Sequence, residues 1–133
     1  MRKTIMQIIG TNTDVLQDIP LDNWHQASSI TETPVKPFGV YRLSGTGPSV
    51  TRRSASKEVR LELWIHDIPG SYVRIDRLLS SLESTFNAVV HASADEDESI
   101  SQAAYDSRSP DLEDSGFKSI CKASIFTLIG KGQ

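Results

Sequence analysis

The clearest pattern in the chain is the alternation from Glu58 to His66, where Val59, Leu61, Leu63 and Ile65 interleave with Glu58, Arg60, Glu62, Trp64 and His66. A period of two predicts a strand of an antiparallel sheet with one face on the core. Pro69 and Gly70 end it. Beyond them Ile75, Leu78, Leu79, Leu82 and Phe86 recur at i, i+3, i+4, i+7 and i+11, the stripe of an amphipathic helix that can lie across a sheet. Ser71 stands where it can accept a hydrogen bond from a backbone N–H of the first helical turn.

Weaker patterns fill in the rest. Ile5, Ile8 and Ile9 suit a short helix over residues 2 to 9, stopped at Gly10. Residues 11 to 37, rich in Thr, Asn, Asp, Ser and Pro, suggest a long connection with at most one helical turn, pinned by Leu21 and Trp24. "KPFGVYRLSG" offers a strand through Phe38, Val40 and Tyr41, and "SVTRRSASKE" has the polar, basic character of a flexible hairpin arm. "SADEDES" suggests a solvated acidic loop before two late strands near Ile100 to Asp106 and Phe117 to Ile129. The order is helix, strand, strand, helix, strand, strand. The expectation is an α+β two-layer sandwich: one main helix on a mostly antiparallel sheet of about four strands, plus a short N-terminal helix.

Length makes this one domain over residues 1–133, enough for one core and too little for two. A hydrophobic content of 38% is lean for a globular chain, so some apolar surface is expected to find cover on a neighbour. Cys121 is the single cysteine, which excludes an internal disulfide, and no apolar run is long enough for a membrane span. A soluble protein folding in the cytosol is the default. The net charge of −3 conceals an asymmetry. Residues 92 to 114 carry eight acids against Arg108 alone, whereas residues 36 to 60 carry six bases against Glu58 alone.

Candidate chemistry narrows from there. His66, Asp67 and Ser71 lie close in sequence, but neighbours at a strand end point to opposite faces, so a nucleophilic triad is disfavoured. His25, His66 and His91 come from distant segments without metal-ligand spacing, and the acidic run 95 to 98 lacks the glycine and bidentate glutamate of a calcium loop. "GTGPS" has no lysine and no following helix, so it is a turn and not a phosphate loop. Cys121 reads as a small buried hydrophobe. Neither a catalytic residue, a metal site nor a cofactor is expected. The basic arm, with Arg52, Arg53 and Lys57, fits a solvated hairpin or an acidic protein surface better than nucleic acid, because no aromatic residue is interleaved. Trp64 sits on the charged face of the best strand, where an indole needs cover either from the 11 to 37 connection, for example Trp24, or from a partner subunit.

Together "PFGVYRL", "RLELWIHDIPGSYVRIDRLLSSLESTF" and "AAYDSRSPDLEDSGF" resemble the tail terminator, or tail completion, proteins of long-tailed bacteriophages. The likeness rests on Pro37 to Arg42, Trp64 to Asp67, Pro69 to Asp76 and, more loosely, Ser109 to Asp114. It covers about two thirds of the chain and leaves out the first 36 residues. The resemblance implies a structural virion protein, not an enzyme, assembled in the host cytoplasm and located at the head-proximal end of the tail. It implies a ring, usually of six copies, that caps the tail tube, ends its polymerisation and joins the neck proteins of the head. DNA would pass through the lumen without sequence recognition, and no membrane is involved. A head-side neck connector and a small nucleic-acid-binding protein are the alternatives. The residues expected at subunit, tube or neck contacts are Arg52, Arg53, Lys57, Trp64, Asp95, Glu96, Asp97 and Glu98.

Overall fold

The computed structural model describes residues 1–48 and 57–131. The chain runs through α1 (Arg2–Gly10), α2 (Thr13–Asp18), β1 (Trp24–Gln26), β2 (Phe38–Pro48), β3 (Lys57–Asp67), α3 (Val73–Asn87), β4 (Ala92–Asp95), β5 (Glu98–Arg108), β6 (Leu112–Asp114) and β7 (Ser119–Lys131). Short 3-10 turns at Leu21–Asn23 and Ala27–Ser29 flank β1. The strands lie in the order β1-β2-β3-β7-β5-β4, and β6 pairs with β7 beyond the point where β5 ends. Among the described residues only β1 joins in parallel; the other pairings are antiparallel.

This overturns the expected sandwich of about four strands under one main helix. The described residues form a mostly β fold, a seven-stranded mixed sheet shaped as a half-barrel, with three helices. The physical reason lies at the margins of the sheet. Each strand edge carries backbone N–H and C=O groups that need partners. Segments of three or four residues meet that need in β1, β4 and β6, and they are too short to show any period in the sequence. The acidic stretch expected as a loop is instead the tight turn between β4 and β5.

One face of the sheet carries the main core. Val59, Leu61, Leu63 and Ile65 of β3 are buried, as the alternation predicts, under the α3 stripe of Ile75, Leu78, Leu79, Leu82 and Phe86. Burial of those five α3 side chains contributes roughly 10 kcal/mol, before the chain entropy that opposes it. The N-terminal helix is part of the same core through Ile5, Ile8 and Ile9. Asn12 joins the helices: its Oδ1 accepts the Val15 N–H at the start of α2, and its Nδ2 donates to Ser81 Oγ and Thr85 Oγ1 of α3. Trp24, on this face, lies across Gly39, so the 11 to 37 connection is pinned by its indole, whereas Leu21 stays 40% exposed.

The β3–α3 junction is held by charge. Asp67, 3% exposed, accepts the Ile68 N–H at 2.7 Å and two guanidinium N–H groups of Arg74, one at 2.8 Å. Gly70 adopts φ +144°, a conformation that a side chain would strain, and Ser71 Oγ accepts the Val73 N–H at 3.2 Å.

Candidate functional site

The opposite face of the sheet is where chemistry-bearing side chains collect. Register places Phe38 opposite His66, Val40 opposite Trp64, and Arg42 opposite Glu62; across β7, His66 meets Cys121 and Trp64 meets Ala123. All of these share one face, because side chains alternate along a strand. A second apolar cluster results at the Asp67 end of β3. The rings of Phe38 and His66 stack at 4.7 Å and 3°, with Phe117 edge-on to both at 5.3 Å. Such aromatic contacts add to what burial alone supplies.

His66 is a structural member of this cluster. Its Nδ1 shares a 2.8 Å hydrogen bond with Ser119 Oγ, and both residues are buried. Burial pushes the imidazole's pKa down, against a smaller opposing pull from Asp114. Asp67 leaves by the other face to bind Arg74, and Ser71 caps backbone. The three residues adjacent in sequence are therefore not brought together. Among the described residues, no three His, Cys, Asp or Glu side chains gather where they could hold a metal ion.

Beside the cluster opens a groove of about 340 Å³. Val40, Trp64, Phe117 and Cys121 give it an apolar lining, to which Ala27 and Ile30 also contribute; Arg42 of β2 lies at one side and Leu112 and Asp114 of β6 at the other. Trp64 is half-buried and donates its indole N–H to Glu62 at 2.9 Å. Trp24 does not cover it, since that indole lies over Gly39 on the other face. The Cys121 thiol is buried, and that burial, with Asp114 nearby, pushes its pKa up to about 11.

Of the other expected contact residues, Arg52 and Arg53 fall outside the described residues, and the rest lie at the far end of the sheet. Lys57 opens β3 opposite Gly130, and Ile100 of β5 is opposite the same glycine, so Lys57 and the acidic turn share one end. Part of that turn is already committed to α1. Lys3 Nζ lies 3.1 Å from Asp95 Oδ2, and Asp95 Oδ1 accepts the Asp97 N–H. Glu98 is buried: its Oε1 accepts the Thr4 N–H at 2.7 Å and the Thr4 hydroxyl at 2.9 Å, and its Oε2 lies 3.3 Å from the Met1 amine. Burial works against the charge on Glu98, but these donors prevail and hold its carboxyl below the usual range. Glu96 and Asp97 remain exposed.

The groove itself was missed by sequence reasoning, although a signal existed. Phe38 and Val40 alternate with Gly39 and Tyr41, which puts two apolar side chains on the face that also carries Trp64 and His66. Asp114 gave no such signal, since only the pairing of β6 with β7 brings it there.

No protein-family model matches the chain, and no curated protein matches it. Among solved structures the chain is similar to one in the "Virion of native gene transfer agent (GTA) particle", with a TM-score of 0.69, covering 97% of this chain and 92% of that one. At 5% identity, the likeness is one of fold.

Proposed function

We propose that the protein is a structural component of a phage-like virion and serves as its tail terminator. Copies form a ring, of six in the family that the sequence resembles, which docks on the last ring of the tail tube, stops tube growth and offers the surface that the neck proteins of the head engage. The reading is supported chiefly by the end-to-end fold likeness to a chain of a gene transfer agent virion. It is also in keeping with the motifs from Pro37 to Asp76.

The protein acts by shape and makes no bond. His66 is shut between aromatic rings, and the accessible chemistry is an apolar groove with charged rims. A terminator ends growth because its tube-facing side complements the tube while its other side does not copy the tube's own binding surface. Assembly takes place in the host cytoplasm, and the ring ends at the head-proximal end of the tail. The test is a tail assembly reaction with and without the protein, imaged by negative stain. Tubes of uniform length that carry a terminal ring and accept heads are expected; tails of unchanged length in its absence would exclude the role.

A further inference from the structure

A polar pocket of about 330 Å³ opens at the β1–β2 edge of the sheet, where β1 ends at the pairing of Gln26 with Tyr41. Arg2 comes to it from α1 and Arg42 from β2, Gln26 and Ser28 also line it, and no acidic residue does. Arg2 is held in place: its Nε donates to Gln26 Oε1 at 2.8 Å, and its two terminal nitrogens have no partner among the described residues. Arg42 has no hydrogen bond or ion pair among them. Glu62, opposite Arg42 across the β2–β3 pairing, is already engaged, since its Oε1 accepts the Trp64 indole N–H and its Oε2 lies 3.4 Å from Arg60 Nε. Two guanidinium groups left uncompensated at one pocket suit carboxylates, which accept charge-assisted hydrogen bonds from both.

The other edge of the sheet carries the matching groups. In the turn between β4 and β5, Asp95 is tied to Lys3 and Glu98 to Thr4, so both flanks are fixed on α1. Glu96 and Asp97 between them are exposed, and their carboxylates make no hydrogen bond or ion pair among the described residues. A turn whose flanks are already ordered loses little freedom on docking. It cannot reach the pocket of its own chain. Tyr41 pairs with Leu63, six residues along β3 from Lys57 at the turn's end of the sheet, or roughly 20 Å, and β3 and β7 stand between β2 and β5. The pocket of a second copy is under no such restriction.

We propose that the exposed tip of the acidic turn of one copy, Glu96 and Asp97, docks in the Arg2–Arg42 pocket of the next. Donor and receiver lie at opposite edges of one sheet, so the contact is head to tail, the kind that closes into rings when the rotation permits. The inference rests on the ring reading above and names the surface that receives the acidic turn.

Two experiments test it. In the first, Arg42→Glu and Asp97→Lys are each expected to weaken self-association about fivefold in sedimentation velocity, because each brings like charges together. Mixing the two proteins should restore it, since the native turn of one then meets the native pocket of the other, and the two reversed charges meet as well. Unchanged association in either variant, or no recovery in the mixture, would overturn the docking. The ring still stands if the native chain forms oligomers; it falls with the docking if that chain is monomeric both alone and in the tail assembly reaction. A short DNA duplex bound by the native protein but not by Arg42→Glu, with no recovery in the mixture, would overturn the docking by assigning the pocket to phosphate. In the second experiment one protein carries Ser28→Cys and another Glu96→Cys, both with Cys121→Ala, and they are mixed under mild oxidation at concentrations where light scattering detects oligomers. A disulfide between the two chains, formed in the mixture and in neither protein alone, is expected. Oligomers without that disulfide would overturn the docking, as would a disulfide formed within one chain that carries both new cysteines.

Discussion

The indole of Trp24 lies so close over Gly39 that a Cβ built on the glycine would stand 2.2 Å from Trp24 Cε3. That contact fixes the parallel pairing of β1 on β2, where the two residues are opposite each other. Trp24 is 5% exposed, so the ring has little room to retreat. Gly39→Ala should therefore cost about 2 kcal/mol by overpacking, read from the urea midpoint, and should cost almost nothing when Trp24 is already alanine. Equal losses in both backgrounds would mean that the two residues do not press on each other.

Glu98 gives stability an acid-side dependence. A carboxyl whose folded pKa is depressed contributes fully above its unfolded value, about 4.3, and loses that contribution as pH falls through the folded pKa. Glu98→Gln should lower stability by about 2 kcal/mol at neutral pH and flatten the decline below about pH 4, measured by thermal melts across that range. A variant with an unaltered acid limb would show that the Thr4 contacts carry no linkage.

His66 acts at milder pH and with a different sign of charge. Its folded pKa is lowered, so the unfolded chain takes up the proton first, and stability falls as pH drops below about 6.5 until the folded imidazole titrates. His66→Gln, which can still hydrogen-bond Ser119, should be less stable at neutral pH because the ring stack with Phe38 is lost. The same variant should show a smaller drop from about pH 7 to about pH 5. Comparison of urea midpoints at the two pH values decides.

Asp67→Ala should cost about 2 kcal/mol, less than a fully buried pair would, because the freed Arg74 side chain is 38% exposed and can be rehydrated. Tube capping should survive in the folded fraction, since Asp67 faces the helix and not the groove. Loss of capping at full foldedness would place the residue in an interface.

Trp64→Ala should behave in the opposite way. The residue is half-buried and lies outside the main core, so the monomer should lose little stability. Self-association should fall markedly, as observed when an aromatic anchor is removed from an interface. Sedimentation velocity beside a denaturation curve separates the two effects.

The strongly periodic elements were legible in the sequence. The β3 alternation and the α3 stripe appear in the structure residue for residue, and the short helix at Ile5, Ile8 and Ile9 is there. The fold class was not legible, because β1, β4 and β6 are decided by what lies alongside them and not by their own composition. Glu98 shows the same thing in a single side chain. Within an acidic run it reads as solvated, and only the position of Thr4 makes burial favourable. At the candidate site, Trp64 was recognised as misplaced on a polar face, but the polar face was itself apolar at one end, where Phe38 and Phe117 enclose His66.

Cys121 gives this surface its own gauge. The chain has one thiol, and it forms part of the groove floor. Its alkylation by a small maleimide is already slowed by burial and a high pKa. Anything seated above it must slow the reaction further, so the labelling rate of the unaltered protein measures how often the groove stands open.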